Sequence, residues 1–282
     1  MADKNKKNIA ADSSASDIAL EIRNVKKTFN PGTINAKVAL NGLNLTLKKG
    51  DFVTVIGGNG AGKSTMLNAI AGTWKPDSGK VLIGGVDITG MPEHKRAKFL
   101  GRVFQDPMMG TAADMEIKEN LALAKRRGKR RGLKWGITAE EKKRFAELLA
   151  PLGLGLESRL TSKVGLLSGG QRQAVTLIMA SLNAPELLLL DEHTAALDPK
   201  TAAKILELTD KIVSENNLTT LMVTHNMKDA IAHGNRLIML NNGKIILDIS
   251  GEEKKNLTVE MLLEQFSKAS GEEFLSDRAL LS

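Results

Sequence analysis

The sequence predicts an α/β fold: a mostly parallel sheet flanked by helices, with an antiparallel β subdomain near its start and an inserted helical subdomain. Three observations lead there. Short, nearly all-apolar runs at Phe52–Ile56, Leu187–Leu190 and Leu218–Val223 alternate with helical stretches such as Thr201–Asn216. That is the rhythm of buried parallel strands joined by crossover helices. Apolar residues alternate with polar ones at Ile18, Leu20 and Ile22, and again at Leu43, Leu45 and Leu47, the period of antiparallel strands with one wet face. From about residue 106 to residue 167 the strand–helix rhythm stops, and the chain reads as entirely helical.

Taken in order, residues 1–17 are polar, lack the apolar core of a signal peptide and read as a disordered tail. A domain spanning 18–257 follows. The run Phe52–Ile56 is β-branched and opens directly into a glycine-rich turn, as a buried strand feeding a helix does. Within the insert at 106–167, MEIKENLALAKRR is amphipathic, and Thr138 with Glu141 forms a capping box opening EEKKRFAELLAPL. After His225 come a short helix and a hairpin whose Asn242-Gly243 pair suits a type I′ turn. A last helix near Thr258–Lys268 and a tail complete 258–282.

Composition narrows the function. No apolar run approaches the roughly 18–20 residues that a membrane helix needs. The chain has no cysteine, which excludes a disulfide scaffold or a thiolate metal site and fits a cytosolic location. Much of the net charge of +8 falls in the insert, where the run KRRGKRRGLK spans Lys125–Lys134. Such a run suits an anionic membrane surface or nucleic acid, or is simply a solvated loop. Trp135 stands alone beside it, without the interleaved aromatics that stack bases.

The chemistry is carried by two motifs. Gly57-Gly58-Asn59-Gly60-Ala61-Gly62-Lys63-Ser64, followed by Thr65, matches the phosphate-loop pattern directly after a buried strand. Its glycines let successive N–H groups converge on one anion, and the following helix adds its positive end. Lys63 is placed to reach the β- and γ-phosphates of a nucleotide, and Ser64 to ligate Mg²⁺. The run LLLLDE then brings Asp191 to a strand's C-terminal end to hold Mg²⁺, with Glu192 next to polarise an attacking water. Together these define a P-loop NTPase core.

Leu167-Ser168-Gly169-Gly170-Gln171 resembles the signature motif of the ABC ATPases. With it, Gln105 is similar to the family's Q-loop glutamine, which also touches the metal. Ala196-Leu197-Asp198 resembles the D-loop and His225 the switch histidine, while Phe29 sits where the family stacks an aromatic on adenine. The resemblance runs from about residue 18 to 250. It implies an ATPase acting as a head-to-tail homodimer, in which Ser168, Gly169, Gly170, Gln171 and Asp198 complete the ATP site of the opposite subunit. It assigns catalytic roles to Glu192, His225 and Gln105. Gly58 and His193 stand where the family often has proline; His193 reads either as a neutral replacement or as a group touching the nucleotide.

Gln105 and Ser168 are 63 residues apart, which suits a compact transporter subdomain rather than a long coiled-coil insert. The stretches VFQDPMMGTAADMEIKENLALA and DEHTAALDPKTA resemble one branch of bacterial importer ATPases. That resemblance implies separate integral membrane permease subunits, a position on the cytoplasmic face of the membrane, and indirectly an extracytoplasmic substrate-binding protein. The cargo implied is a small solute such as an aromatic amino acid, and no nucleic acid is expected. Met108, Met109 and Met115 are candidates to line the groove that receives the membrane subunit. An exporter ATPase, or a soluble ABC ATPase acting on nucleic acid or ribosomes, remains the alternative.

Overall fold

The computed structural model describes residues 17–129 and 136–270. The proposed tail at 1–17 therefore lies almost wholly outside the described residues, as do Arg130–Lys134 of the basic run and the chain beyond Ser270.

Two twelve-residue strands, β1 (Ile18–Phe29) and β2 (Lys37–Lys48), pair antiparallel. With β4 (Ser78–Ile83) and β5 (Val86–Asp87) they make a four-stranded sheet in the order β2-β1-β4-β5. The second sheet is built from β3 (Phe52–Ile56), β6 (Leu100–Val103), β7 (Leu187–Asp191), β8 (Thr220–Val223), β9 (Arg236–Asn241) and β10 (Lys244–Ser250), ordered β10-β9-β3-β8-β7-β6. Every pairing in it is parallel except β9 with β10. Their hairpin turns at Asn242 (φ 47°) and Gly243 (φ 71°), both left-handed as a type I′ turn requires.

Because β3, β6, β7 and β8 are parallel, the segments that follow them all emerge at one edge. These are residues 57–64, 104–107, 192–198 and 224–226. Helix α1 (Lys63–Ala71) leaves that edge and buries Met66, Leu67 and Ile70 in the core shared with the antiparallel sheet. The four-residue α2 (Glu93–Arg96) ends in a fully buried arginine. Arg96 donates to the carbonyls of Ala69, Ile70, Thr89 and Met91 at 2.7–3.0 Å, satisfying carbonyls at the end of α1 that have no helical partner.

The insert is less helical than its sequence suggests. Its described residues hold α3 (Ile117–Lys125), α4 (Ala139–Leu149) and two single turns of 3₁₀ helix at Ala150–Leu152 and Val164–Leu166. The 112–116 segment is held open by Asn120, buried, which binds Ala112 through both amide atoms and also donates to Glu116. The capping box at Thr138 forms as expected, and a second one at Glu116 opens α3. Lys125 and Arg126 both pair with Glu141, and Arg127 donates to the Ala180 carbonyl. Lys125, Arg126 and Arg127 are thus engaged within the fold, while Lys129 stays exposed.

Helix α5 (Gly169–Ser181) returns the chain to the main sheet, and α6 (Pro199–Glu215) packs beside it. The short α7 (Met227–Ala232) packs on β3, and α8 (Gly251–Lys255) on β9 and β10. Finally α9 (Val259–Ser270) buries Leu262 and Phe266 against Ile56, Met227 and Met239. The boundary at 257/258 drawn from the sequence therefore does not coincide with a break in packing.

Candidate nucleotide site

The phosphate loop occupies the step from β3 to α1. Gly57 (φ 152°) must be glycine, since a Cβ there would lie 2.3 Å from the Leu240 carbonyl oxygen. At Gly62 (φ 107°) a Cβ would meet the Ala39 oxygen at 2.6 Å. Helix α1 begins at Gly62 with no side-chain cap and no acidic residue in its first turn, so its positive end is left for an anion. Lys63 folds back across the loop and donates to the carbonyls of Gly57 at 2.7 Å and Gly58 at 3.2 Å. Burial pushes its ammonium below the ordinary lysine range, while Glu192 and Asp191 draw it back up. Asn59, Gly60 and Ser64 are exposed, Gly58 and Thr65 half-buried, and Ala61 buried.

Asp191 ends β7 beside this loop. Burial raises its carboxyl, opposed mainly by Arg102, whose Nη2 is 3.3 Å from Asp191 Oδ2. Glu192 has a left-handed backbone (φ 44°), a strain of about 1–3 kcal/mol for a non-glycine residue. Hydrogen bonds from its N–H to Val223 and from Ala195 to its carbonyl hold it there. Its Oε2 lies 3.5 Å from Nδ1 of His225, which follows β8. Gln105 follows β6, one strand over from β7, and is exposed. The structure therefore gathers Lys63, Asp191, Glu192 and His225 at one edge, with Gln105 at its flank.

The signature residues form a second, separate surface. Ser168 caps α5, accepting from the Gln171 N–H at 3.3 Å, while the Gln171 side chain accepts from the Ser168 N–H at 3.2 Å and donates to Leu154. Gln171 is thus occupied within its own chain. Ser168 and Gly169 are exposed. Gly170 is buried where a Cβ would strike Thr201 at 2.2 Å, so it lets α5 and α6 close together. Asp198 caps α6 through the Thr201 N–H, and that bonding holds its carboxyl below the usual range. Among the described residues no hydrogen bond joins 57–65 to 168–171.

Phe29 ends β1 opposite Lys37 of β2, and the Lys37 ammonium nitrogen lies 3.0 Å from where a Cβ on Gly60 would stand. β1 thus delivers Phe29 to the flank of the loop. Its ring meets Trp74 edge-on, with centroids 4.7 Å apart. Trp74 and Arg102 belong to no sequence motif, and each meets partners distant in the chain.

His193 points away from the nucleotide. It is buried, with Nε2 3.0 Å from Thr209 Oγ1. Thr209 gives its own proton to Ile205, so His193 is the donor. Burial drives its pKa from 6.5 down to about 4. Above pH 6.5 the imidazole is neutral in folded and unfolded chains alike, and stability is complete. As pH falls toward 4 only the unfolded chain gains the proton, so stability is lost. By pH 5 the loss through this group is about 2 kcal/mol. Urea unfolding at pH 7 and pH 5 is expected to show a gap between midpoints that shrinks in His193→Asn.

A phosphate loop between a buried parallel strand and a helix, with two carboxylates at the neighbouring strand end, defines a P-loop nucleotide triphosphatase. The profile of the ABC transporter family matches residues 40–195. A tyrosine transport ATP-binding protein of Clostridioides difficile is 48% identical over 89% of this chain and 99% of its own length. The methionine import ATP-binding protein MetN 2 of Enterococcus faecalis is 36% identical over 80% of this chain, which spans 64% of that relative. Among solved structures, a dimeric ATP-binding cassette in a post-hydrolysis state with ADP and Pi superposes with a TM-score of 0.70 and 34% identity, covering 82% of this chain and 98% of that one. The chain belongs to the ABC transporter family, as an ATP-binding subunit that couples ATP hydrolysis to transport. Cassettes of this family dimerise and work with membrane subunits. No helix among the described residues is long and apolar enough to cross a membrane.

Proposed function

We propose that this chain powers import of an amino acid, of the tyrosine class, from the cytoplasmic face of the membrane, with separate permease subunits and an extracytoplasmic binding protein. The observation carrying this reading is its 48% identity to the tyrosine transport protein across nearly that protein's whole length. Met108 and Met109 are exposed on the segment after Gln105 and Met115 is half-buried; flexible thioethers there suit a docking helix of a permease. Deleting the gene and measuring uptake of labelled tyrosine tests the proposal. Loss of saturable uptake is expected; unchanged uptake together with altered efflux would overturn it.

In the cycle we infer, Lys63 and the N–H groups of residues 58–65 bind the ATP phosphates and Phe29 stacks on the base. The donor set fits Mg²⁺: an aliphatic hydroxyl at Ser64, the carboxylate of Asp191 and the amide oxygen of Gln105 are all hard oxygen ligands. Mg²⁺ bound there would neutralise charge on the phosphates. Glu192 takes a proton from water as the water oxygen bonds to the γ-phosphorus and the bond to the ADP oxygen breaks. His225, 3.5 Å away, orients that carboxylate. Ser168, Gly169, Gly170, Gln171 and Asp198 of one subunit close over the γ-phosphate held by the other. Ser168 and Gly169, exposed at the start of a helix, offer that anion site; Gln171 contributes by holding the cap.

A further inference from the structure

We propose that Arg102 is a positioning residue for the metal-bearing carboxylate, fixing Asp191 to α1 and tying both to the segment that carries Gln105. The inference rests on the reading of Asp191 as a Mg²⁺ ligand. Arg102 lies on β6 between the buried Gly101 and Val103, paired with Leu189 of β7. An arginine at such a place leaves a poorly solvated charge unless a carboxylate answers it, and Asp191 does so. One terminal nitrogen, Nη2, donates to Asn68 Oδ1 at 2.8 Å and reaches Asp191 Oδ2 at 3.3 Å. Both partners of the ion pair are poorly exposed, 13% for Arg102 and 16% for Asp191, so solvent screens the pair little.

The opposite side of the guanidinium is held too. Its central carbon lies 4.6 Å from the centroid of the Phe104 ring. Nε is buried with no hydrogen-bond partner among the described residues, so Asn68, Asp191 and Phe104 set the orientation of the group. The Phe104 carbonyl in turn accepts from Gln173 of α5 at 3.3 Å. A contact path therefore runs from Asp191 through Arg102 and Phe104 to the helix that opens at Ser168. A planar guanidinium can stack on a ring while it hydrogen-bonds at its edge; a lysine point charge does neither as well. Groups that orient a metal's carboxylate from behind are commonly worth 10–100-fold in metal affinity.

Manganese is the probe. EPR titration of Mn²⁺ into the full chain saturated with AMP-PNP reports free metal without any turnover. AMP-PNP affinity measured in EDTA reports an intact fold. Arg102→Met is expected to bind Mn²⁺ at least about 10-fold more weakly while its affinity for AMP-PNP in EDTA is unchanged, and Arg102→Lys to recover part of the loss. Wild-type Mn²⁺ affinity in Arg102→Met overturns the proposal. Should that variant fail to fold, Phe104→Leu decides, because it removes the stack and keeps the charge. About 3-fold weaker Mn²⁺ binding is expected there, and none lost would overturn the proposal. Asp191→Asn separates the two layers. If it loses Mn²⁺ while Arg102→Met and Phe104→Leu do not, only the positioning role falls; if it too keeps wild-type affinity, the metal reading falls with it.

Discussion

Glu192→Gln is expected to stop ATP turnover and trap the nucleotide between two subunits. The amide is nearly isosteric and keeps the left-handed backbone, whose bonds to Val223 and Ala195 are main-chain. Lys63, Asp191 and the surface at Ser168 are untouched. What disappears is a carboxylate able to take the proton of the attacking water, a loss of about 10²–10⁴-fold in rate. Binding and dimer closure precede that step, so ATP accumulates and the subunits stay together. The 3.5 Å contact to His225 adds a companion outcome: His225→Ala binds ATP but hydrolyses it poorly, because the carboxylate loses its neighbour. Steady-state phosphate release with nucleotide retained after rapid desalting checks both. Near-normal turnover in Glu192→Gln would remove Glu192 from the role.

Lys63→Ala is expected to act one step earlier. Lys63 is buried and lies over the loop, with its ammonium on the carbonyls of Gly57 and Gly58. Its removal costs the phosphates their nearest cation and the loop two internal hydrogen bonds. A charge-assisted contact of this kind is worth roughly 1.5–3 kcal/mol, about 10- to 150-fold in ATP affinity. The variant therefore stays monomeric at ATP concentrations that dimerise Glu192→Gln. Equilibrium titration with a fluorescent ATP analogue measures the loss directly. Retained affinity would mean that the N–H groups alone bind the phosphates.

How much of this was legible in the sequence depended on the range of each interaction. The phosphate loop, the Thr138 capping box and the Asn242-Gly243 turn are set by residues a few places apart, so their local pattern is visible in the sequence. The parallel strands Phe52–Ile56 and Leu187–Leu190 declared themselves because both faces are buried. β6 did not: its Leu-Gly-Arg-Val carries an arginine that is tolerated only because Asp191, distant in sequence, answers it. Trp74 stands in the loop between α1 and β4 and its partner Phe29 at the end of β1, so no local spacing marks the contact. Arg96 was invisible for the same reason, since the carbonyls it serves lie on another helix and in a turn. The sequence allows two readings of His193, and the burial of its ring against Thr209 turns it away from the nucleotide. The helical content of the insert was overestimated because amphipathic spacing marks α3 and α4 but says nothing of the looped segments around them.

In the proposed cycle each ATP is closed between the phosphate loop of one chain and the signature surface of another. Light scattering coupled to size exclusion, with bound nucleotide counted in the same peak, tests it on Glu192→Gln with and without a second change, Ser168→Arg. Ser168 is exposed and caps α5, so the arginine costs about 1 kcal/mol of helix stability and leaves the phosphate loop of its own chain unaltered. Glu192→Gln is expected to elute as a dimer holding two ATP. The double variant is expected to elute as a monomer holding one. A double variant that still forms the two-ATP dimer would contradict the shared site.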